Sequence, residues 1–232
     1  MGESSPYVLG VQATAEGDRL LQQCRGLERE ARWLLDRIGV RPGDGSSMSA
    51  AVPNTRFALG DAYATGLPRG VFDFAHARLL LINLTDPARA LAEMVALVRP
   101  DGIVDVQDID QVPWLCEPPH PAWDALVATF LLVWRANGLD PLIGRRLPAL
   151  LRSAGLVDVE VEAHARADPP GAYHRKHRPG IIEAIRGEIV ERGLFAEREL
   201  AALTGALNRR LDGPRTVVTR PLLFQAWGRK PG

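Results

Sequence analysis

Between residues 71 and 107 the chain alternates an apolar run, a capped helix and a second apolar run, and this order commits it to a parallel sheet. Val71-Phe72-Asp73-Phe74-Ala75-His76-Ala77 reads as a strand. Asp86 followed by Pro87 is a helix start, a capping carboxylate with proline at the first helical position, and Ala88, Leu91, Met94, Val95 and Val98 form the buried stripe. Arg99-Pro100-Asp101-Gly102 then turns the chain into a further strand over 103–107. Strand, helix and strand in this order make a right-handed crossover unit. Parallel sheets take their ligands at the carboxyl ends of the strands, which puts His76 near the expected site. Asp105 falls inside a strand buried on both faces, where a carboxylate needs a partner.

Around this unit the pattern is mostly helical. Leu27, Ala31, Leu34, Leu35 and Ile38 recur at helical spacing, with Glu28 and Arg32 placed to pair on the surface, and Gly39 ends the helix. The stretch 45–51 has linker composition, and Thr55-Arg56-Phe57-Ala58-Leu59 is a short strand candidate closed by Gly60-Asp61-Ala62. Residues 121–137 form a helix apolar around most of its circumference, through Trp123, Leu126, Val127, Phe130, Leu131 and Trp134. These residues read either as a wall for an apolar ligand or as core and dimer packing. A helix over 145–154 closes on Gly155 in the position of a left-handed cap. Val157, Val159, Val161 and Ala163 alternate with Asp158, Glu160, Glu162 and His164, predicting a strand with one wet face. Helices follow over 181–192 and 197–211, and 216–227 is a last strand in which Pro221 calls for an edge or a bulge. His174, Arg175, Lys176, His177 and Arg178 read either as a lid binding an acidic ligand or as a solvated loop.

Composition narrows the function. Lys and Arg balance Asp and Glu, 28 against 28, which argues against a counterion-driven grip on nucleic acid or an anionic membrane. Cys24 and Cys116 stand far apart, with neither CxxC spacing nor a histidine cluster, so neither a disulfide framework nor a metal site is predicted. With no leader-like N-terminus and no long apolar run, the expectation is a soluble, cytoplasmic protein acting on a small molecule.

Six blocks, in order, resemble a known family. They are Tyr7-Val8-Leu9-Gly10; Gly60-Asp61-Ala62; Phe72-Asp73-Phe74-Ala75-His76-Ala77-Arg78; Asp86-Pro87 with its helix; Arg99-Pro100-Asp101-Gly102; and residues 147–155 before the alternating strand. Together they resemble the class I S-adenosylmethionine (SAM) methyltransferases, in particular the ubiquinone and menaquinone C-methyltransferases and actinobacterial small-molecule enzymes. The resemblance implies an α/β, Rossmann-like sheet of order 3-2-1-4-5-7-6, with 156–165 and 216–227 as strands 6 and 7. It implies that Asp61 accepts from the adenine amino group, that Ala62 offers backbone contacts, and that Ala77 and Arg78, with His76, line the methionine end. His76 is the candidate catalytic base. Asp61 also reads as a turn residue holding its own loop, and His76 as a histidine bonded at a strand end.

The family's glycine loop after strand 1 and the acidic residue ending strand 2 are absent. A strand–helix–strand unit needs about 30 residues, so the twelve of 45–56 cannot contain the missing strands. The fold expected is therefore a methyltransferase sheet truncated by its first two strands, with a helical insertion before the last edge strand. The predicted single domain, 1–232, comprises an N-terminal helical segment (1–44), a linker (45–56), the remaining sheet core (57–110), helices (111–155) and an edge hairpin (156–232) with its insertion at 168–213. Vacant strand positions would leave an open gap, which predicts either that residues 55–59 move in beside 71–76 or that a swapped homodimer fills it. The function implied is methyl transfer from SAM to a small-molecule acceptor. The alternatives are a pseudo-methyltransferase serving as a scaffold or cofactor-free cyclase or isomerase, and an incomplete product of a longer gene.

Overall fold

The computed structural model describes residues 27–38 and 60–232. Of these, residues 67–232 form one compact unit, and residues 27–38 and 60–66 belong to a second. The predicted linker over 45–56 and strand over 55–59 lie outside the described residues, as do the expectations about the sheet gap that rest on them.

In the second unit, α1 (Glu28–Ile38) carries the predicted surface pair, Arg32 Nη2 donating to Glu28 Oε1 at 3.0 Å, and Leu34 is fully buried. The larger unit begins with β1 (Phe72–Arg78), a 3-10 turn at Leu81–Asn83, α2 (Pro87–Leu97) and β2 (Val98–Asp110). It continues through β3 (Cys116–Glu117), α3 (Pro121–Ala136), α4 (Ile143–Ser153), β4 (Val157–His164) and β5 (Ala167–Asp168). A second 3-10 turn, Tyr173–Lys176, leads into α5 (His177–Ala184), α6 (Arg186–Glu191), α7 (Glu197–Asp212), β6 (Val217–Thr219) and β7 (Leu222–Arg229).

The main sheet has the order β1-β2-β7-β4, with β1 and β2 parallel and β7 antiparallel to both β2 and β4. This is the 4-5-7-6 half of the implied sheet, and among the described residues it ends at β1. The crossover forms as the sequence requires: Asp86 Oδ1 accepts from the Arg89 N–H at 3.0 Å, with Pro87 in the first turn of α2. One face of the sheet is built of small residues, Ala75 and Ala77 on β1, Val104 and Val106 on β2, Ala226 and Gly228 on β7. Helix α4 packs there, its Gly144 so close that a Cβ would meet the Ile109 carbonyl carbon at 2.8 Å and Phe224 Cδ2 at 2.9 Å. Asp105, Gln107 and Gln225 lie on the opposite face.

Several expectations change in detail. The turn at 99–102 forms inside a longer β2, as an irregularity between Phe72↔Val98 and Phe74↔Ile103. The last run is two strands rather than one. Proline at 221 has no N–H for a ladder, so the chain breaks there, with β6 in a small β3-β6-β5 sheet and β7 inside the main sheet. Val157 and Val161 of β4 are 46% and 42% exposed, so this edge strand is wet on both faces. The helix over 181–192 starts earlier, at His177, and divides at Ile185. Helix α3 packs on α5, α6 and α7, and Trp134 Nε1 donates to the Ile82 carbonyl at 3.3 Å, tying this layer to the turn after β1. No helix among the described residues is long and apolar enough to cross a membrane.

Candidate active site

The register of two parallel strands sets His76 opposite Asp105, and the side chains meet. His76 Nδ1 and Asp105 Oδ2 meet in a short contact, and with the proton on Nδ1 the imidazole keeps Nε2 as an acceptor. Phe74, two residues earlier on the same face, stacks on the imidazole at 6.0 Å and 14°. Asp105 is fully buried and its Oδ1 has no partner. Burial pushes its carboxyl above the ordinary range, against the hydrogen bond and charge of His76, which pull it down. The buried carboxylate that needed a partner has found the predicted base.

Arg78 closes β1 but is committed elsewhere. Its Nε donates to Gln107 Oε1 at 2.7 Å, Gln107 Nε2 to Gln225 Oε1 at 2.6 Å, and Gln225 Nε2 meets His164 Nε2 at 2.9 Å, so a chain of polar side chains crosses all four strands. Sequence reasoning missed this chain. Its signal was the period-two recurrence of polar residues, Asp105 and Gln107, in a strand otherwise made for burial. Ala77 is 5% exposed and its side chain belongs to the small-residue face. The next residue, Leu79, stands at φ 49, a strained conformation for a bulky side chain that costs about 1–3 kcal/mol. Its N–H bonds the Gln107 carbonyl at 2.8 Å and its carbonyl accepts from Asn83 Nδ2 at 2.9 Å. Leu79 thus holds its strained backbone at the carboxyl end of a parallel strand, where sheets of this kind gather ligands.

Asp61 and Ala62 belong to the second unit and are described with it. Asp61 Oδ1 accepts from the Tyr63 N–H at 2.8 Å, and the Asp61 carbonyl accepts from the Ala64 N–H at 3.1 Å. The turn-holding role of Asp61 is therefore real, and it uses one of two exposed carboxylate oxygens. Within its own unit Asp61 keeps a second carboxylate oxygen, an acceptor of the kind an adenine amino group takes, and within the larger unit the buried Asp105 Oδ1 is left without a partner.

The His- and Arg-rich stretch is not the solvated loop that its charge suggests. Lys176 is exposed and pairs with Asp212 at 2.7 Å, but Arg175 is 2% exposed and Arg178 is fully buried. Arg175 is spent on structure: its guanidinium donates to the carbonyls of Asp168, Leu211, Gly213 and Thr216 at 2.8–3.3 Å, holding the 3-10 turn against the end of α7. Arg178 differs. Its Cζ lies 3.9 Å over the Trp114 ring and 4.5 Å over Phe130, while Nε and Nη1 have no partner and Nη2 reaches Gln111 Oε1 at 3.3 Å. Burial with no counter-charge pulls it down to about 9. An unpaired buried ion costs several kcal/mol even after relaxation, and a desolvated ring face returns only about 2 kcal/mol.

With the geometry in place, the chain can be set beside known proteins. Residues 40–105 match the profile of a family described as a methyltransferase domain. Trans-aconitate 2-methyltransferase of Methylobacterium radiotolerans is 32% identical over 202 residues, 81% of this chain and 74% of that protein. An uncharacterized methyltransferase of Schizosaccharomyces pombe is 28% identical over 96 residues, and the match spans 41% of this chain and 34% of that protein. The solved YcgJ protein of Bacillus subtilis has 16% identity and a TM-score of 0.45, over 87% of this chain and 77% of its own. The extent and identity of the match to the Methylobacterium enzyme show that the chain belongs to the class I S-adenosylmethionine-dependent methyltransferases, enzymes whose cofactor is S-adenosyl-L-methionine.

Proposed function

We propose that this protein transfers a methyl group from SAM to a small-molecule acceptor, with His76 as the base and Asp105 as the residue that positions it. The carrying observation is the short His76–Asp105 contact across parallel strands, in which a fully buried carboxylate fixes one imidazole nitrogen and leaves the other for the acceptor. Bound SAM supplies an electrophilic methyl on its sulfonium for in-line displacement. What the chain must add is position, exclusion of water and, for an acceptor that ionises only on losing a proton, a base. Asp61 and the backbone of Ala62 hold the adenine end in this reading, and Ala77 and Arg78 border the methionine end. The curated relative's name specifies trans-aconitate as its acceptor, which supports an organic acid as the acceptor here.

The test is transfer of labelled methyl from SAM to a panel of organic acids and phenols. His76→Asn is expected to lower kcat on phenols by about 10²- to 10⁴-fold with SAM affinity unchanged. Asp105→Asn keeps the shape and is expected to fall between wild type and His76→Asn, with an altered pH profile. Rates for both variants within about twofold of wild type would remove the base from the account.

A further inference from the structure

Two buried arginines three residues apart have opposite fates, and the contrast is informative. Arg175 saturates its guanidinium on four backbone carbonyls. Arg178 keeps Nε and Nη1 without acceptors, and Trp114, whose ring it covers, keeps its buried Nε1 without one as well. The box formed by Arg178, Trp114, Phe130 and Gln111 thus holds three unspent donors and a positive charge, and among the described residues no acidic side chain acts on that charge. Donors without acceptors around an uncompensated cation are the complement of an anion, and a guanidinium fork matches a carboxylate.

Place supports this. Gln111 immediately follows β2, at the carboxyl end of the parallel strand pair, where sheets of this kind gather ligands. The loop that carries Trp114 lies at the surface, with Val112 47% and Leu115 62% exposed on either side of it, and is tied down by the bonds between Leu115 and Thr219. Since Arg178 is wholly covered, binding of an acid there requires local opening of this loop.

We propose that Arg178, with Trp114 Nε1 and Gln111, forms a closed binding site for a carboxylate. Calling the bound acid the methyl acceptor rests on the methyltransferase reading; the site itself does not. Gln111 lies six positions beyond Asp105, roughly 20 Å along an extended strand, so an acceptor engaging both Arg178 and His76 is long. A short acid held at Arg178 lies out of reach of a methyl presented beside His76, so it binds there without being methylated.

The experiment uses the full chain with trans-aconitate and benzoate as probes, their neutral methyl esters as controls, and calorimetry with thermal unfolding as readouts. At least one acid is expected to raise the unfolding midpoint while its ester does not. Arg178→Met is expected to weaken acid binding by about 10- to 100-fold. The same variant, having lost an unpaired buried cation, should unfold without ligand at or above the wild-type temperature. Arg178→Lys keeps the charge without the fork and should bind between the two. The proposal is overturned if neither acid shifts the midpoint, if an ester binds as well as its acid, or if both variants bind acid within about twofold of wild type. S-adenosylhomocysteine titrated in parallel separates the claims: acid binding without it keeps this site and ends the methyltransferase reading, and the reverse ends this site alone.

Discussion

Asp101 occupies a backbone position that favours glycine, at φ 62 in the irregularity that opens β2, and no side-chain bond of its own holds it there. Its neighbour Gly102 is constrained differently, since a Cβ there would meet the Arg99 carbonyl oxygen at 2.8 Å. Asp101→Gly is therefore expected to stabilise the protein by about 0.5–1 kcal/mol, read as a higher midpoint in thermal or denaturant unfolding. Asp108 yields a pH prediction. It is fully buried, accepts from the backbone N–H groups of Ile82 at 3.1 Å and Ile109 at 2.9 Å, and burial raises its carboxyl to about 7. An unfolded aspartate titrates near about 4, so between pH 4 and 7 the folded state holds more protons than the unfolded one. The stability that Asp108 contributes is present below pH 4 and is lost as the pH rises towards 7. Asp108→Asn should flatten this fall by up to about 1.4 kcal/mol per pH unit, measured by denaturant unfolding across the window; an unchanged slope contradicts it.

At the scale of elements, α4 and the sheet are held at backbone contact by one glycine. Gly144→Ala must push α4 away from β2 and β7, and is expected to cost about 1–3 kcal/mol of stability in chemical unfolding, with no effect if the helix can shift freely. The glycine shows why helices were easier to read than their packing. The cap at Asp86, the left-handed Gly155 at φ 87 and the Glu28–Arg32 pair are local chemistry, and each was legible. The division of 216–227 between two sheets and the wet second face of β4 depend on partners distant in sequence, which periodicity does not report.

For the molecule as a whole, the family resemblance carried by six ordered blocks implied the sheet order, and the described residues show its 4-5-7-6 part as β1-β2-β7-β4. The site was legible in part: a carboxylate in a doubly buried strand announced that it needed a partner, and register supplied His76. The buried Arg178 box was not legible, because a run of His, Lys and Arg has the composition of a solvated loop and only tertiary packing from α3 and the Trp114 loop buries it. The account joins the four-stranded sheet of the described residues, in a sequence without the glycine loop of its family, to a working cofactor site, and calorimetric titration of S-adenosylhomocysteine into the full chain tests that union. Binding in the micromolar range, weakened by about 1–3 kcal/mol in Asp61→Ala, is the predicted result. No heat and no thermal shift at roughly millimolar ligand is the result that contradicts it.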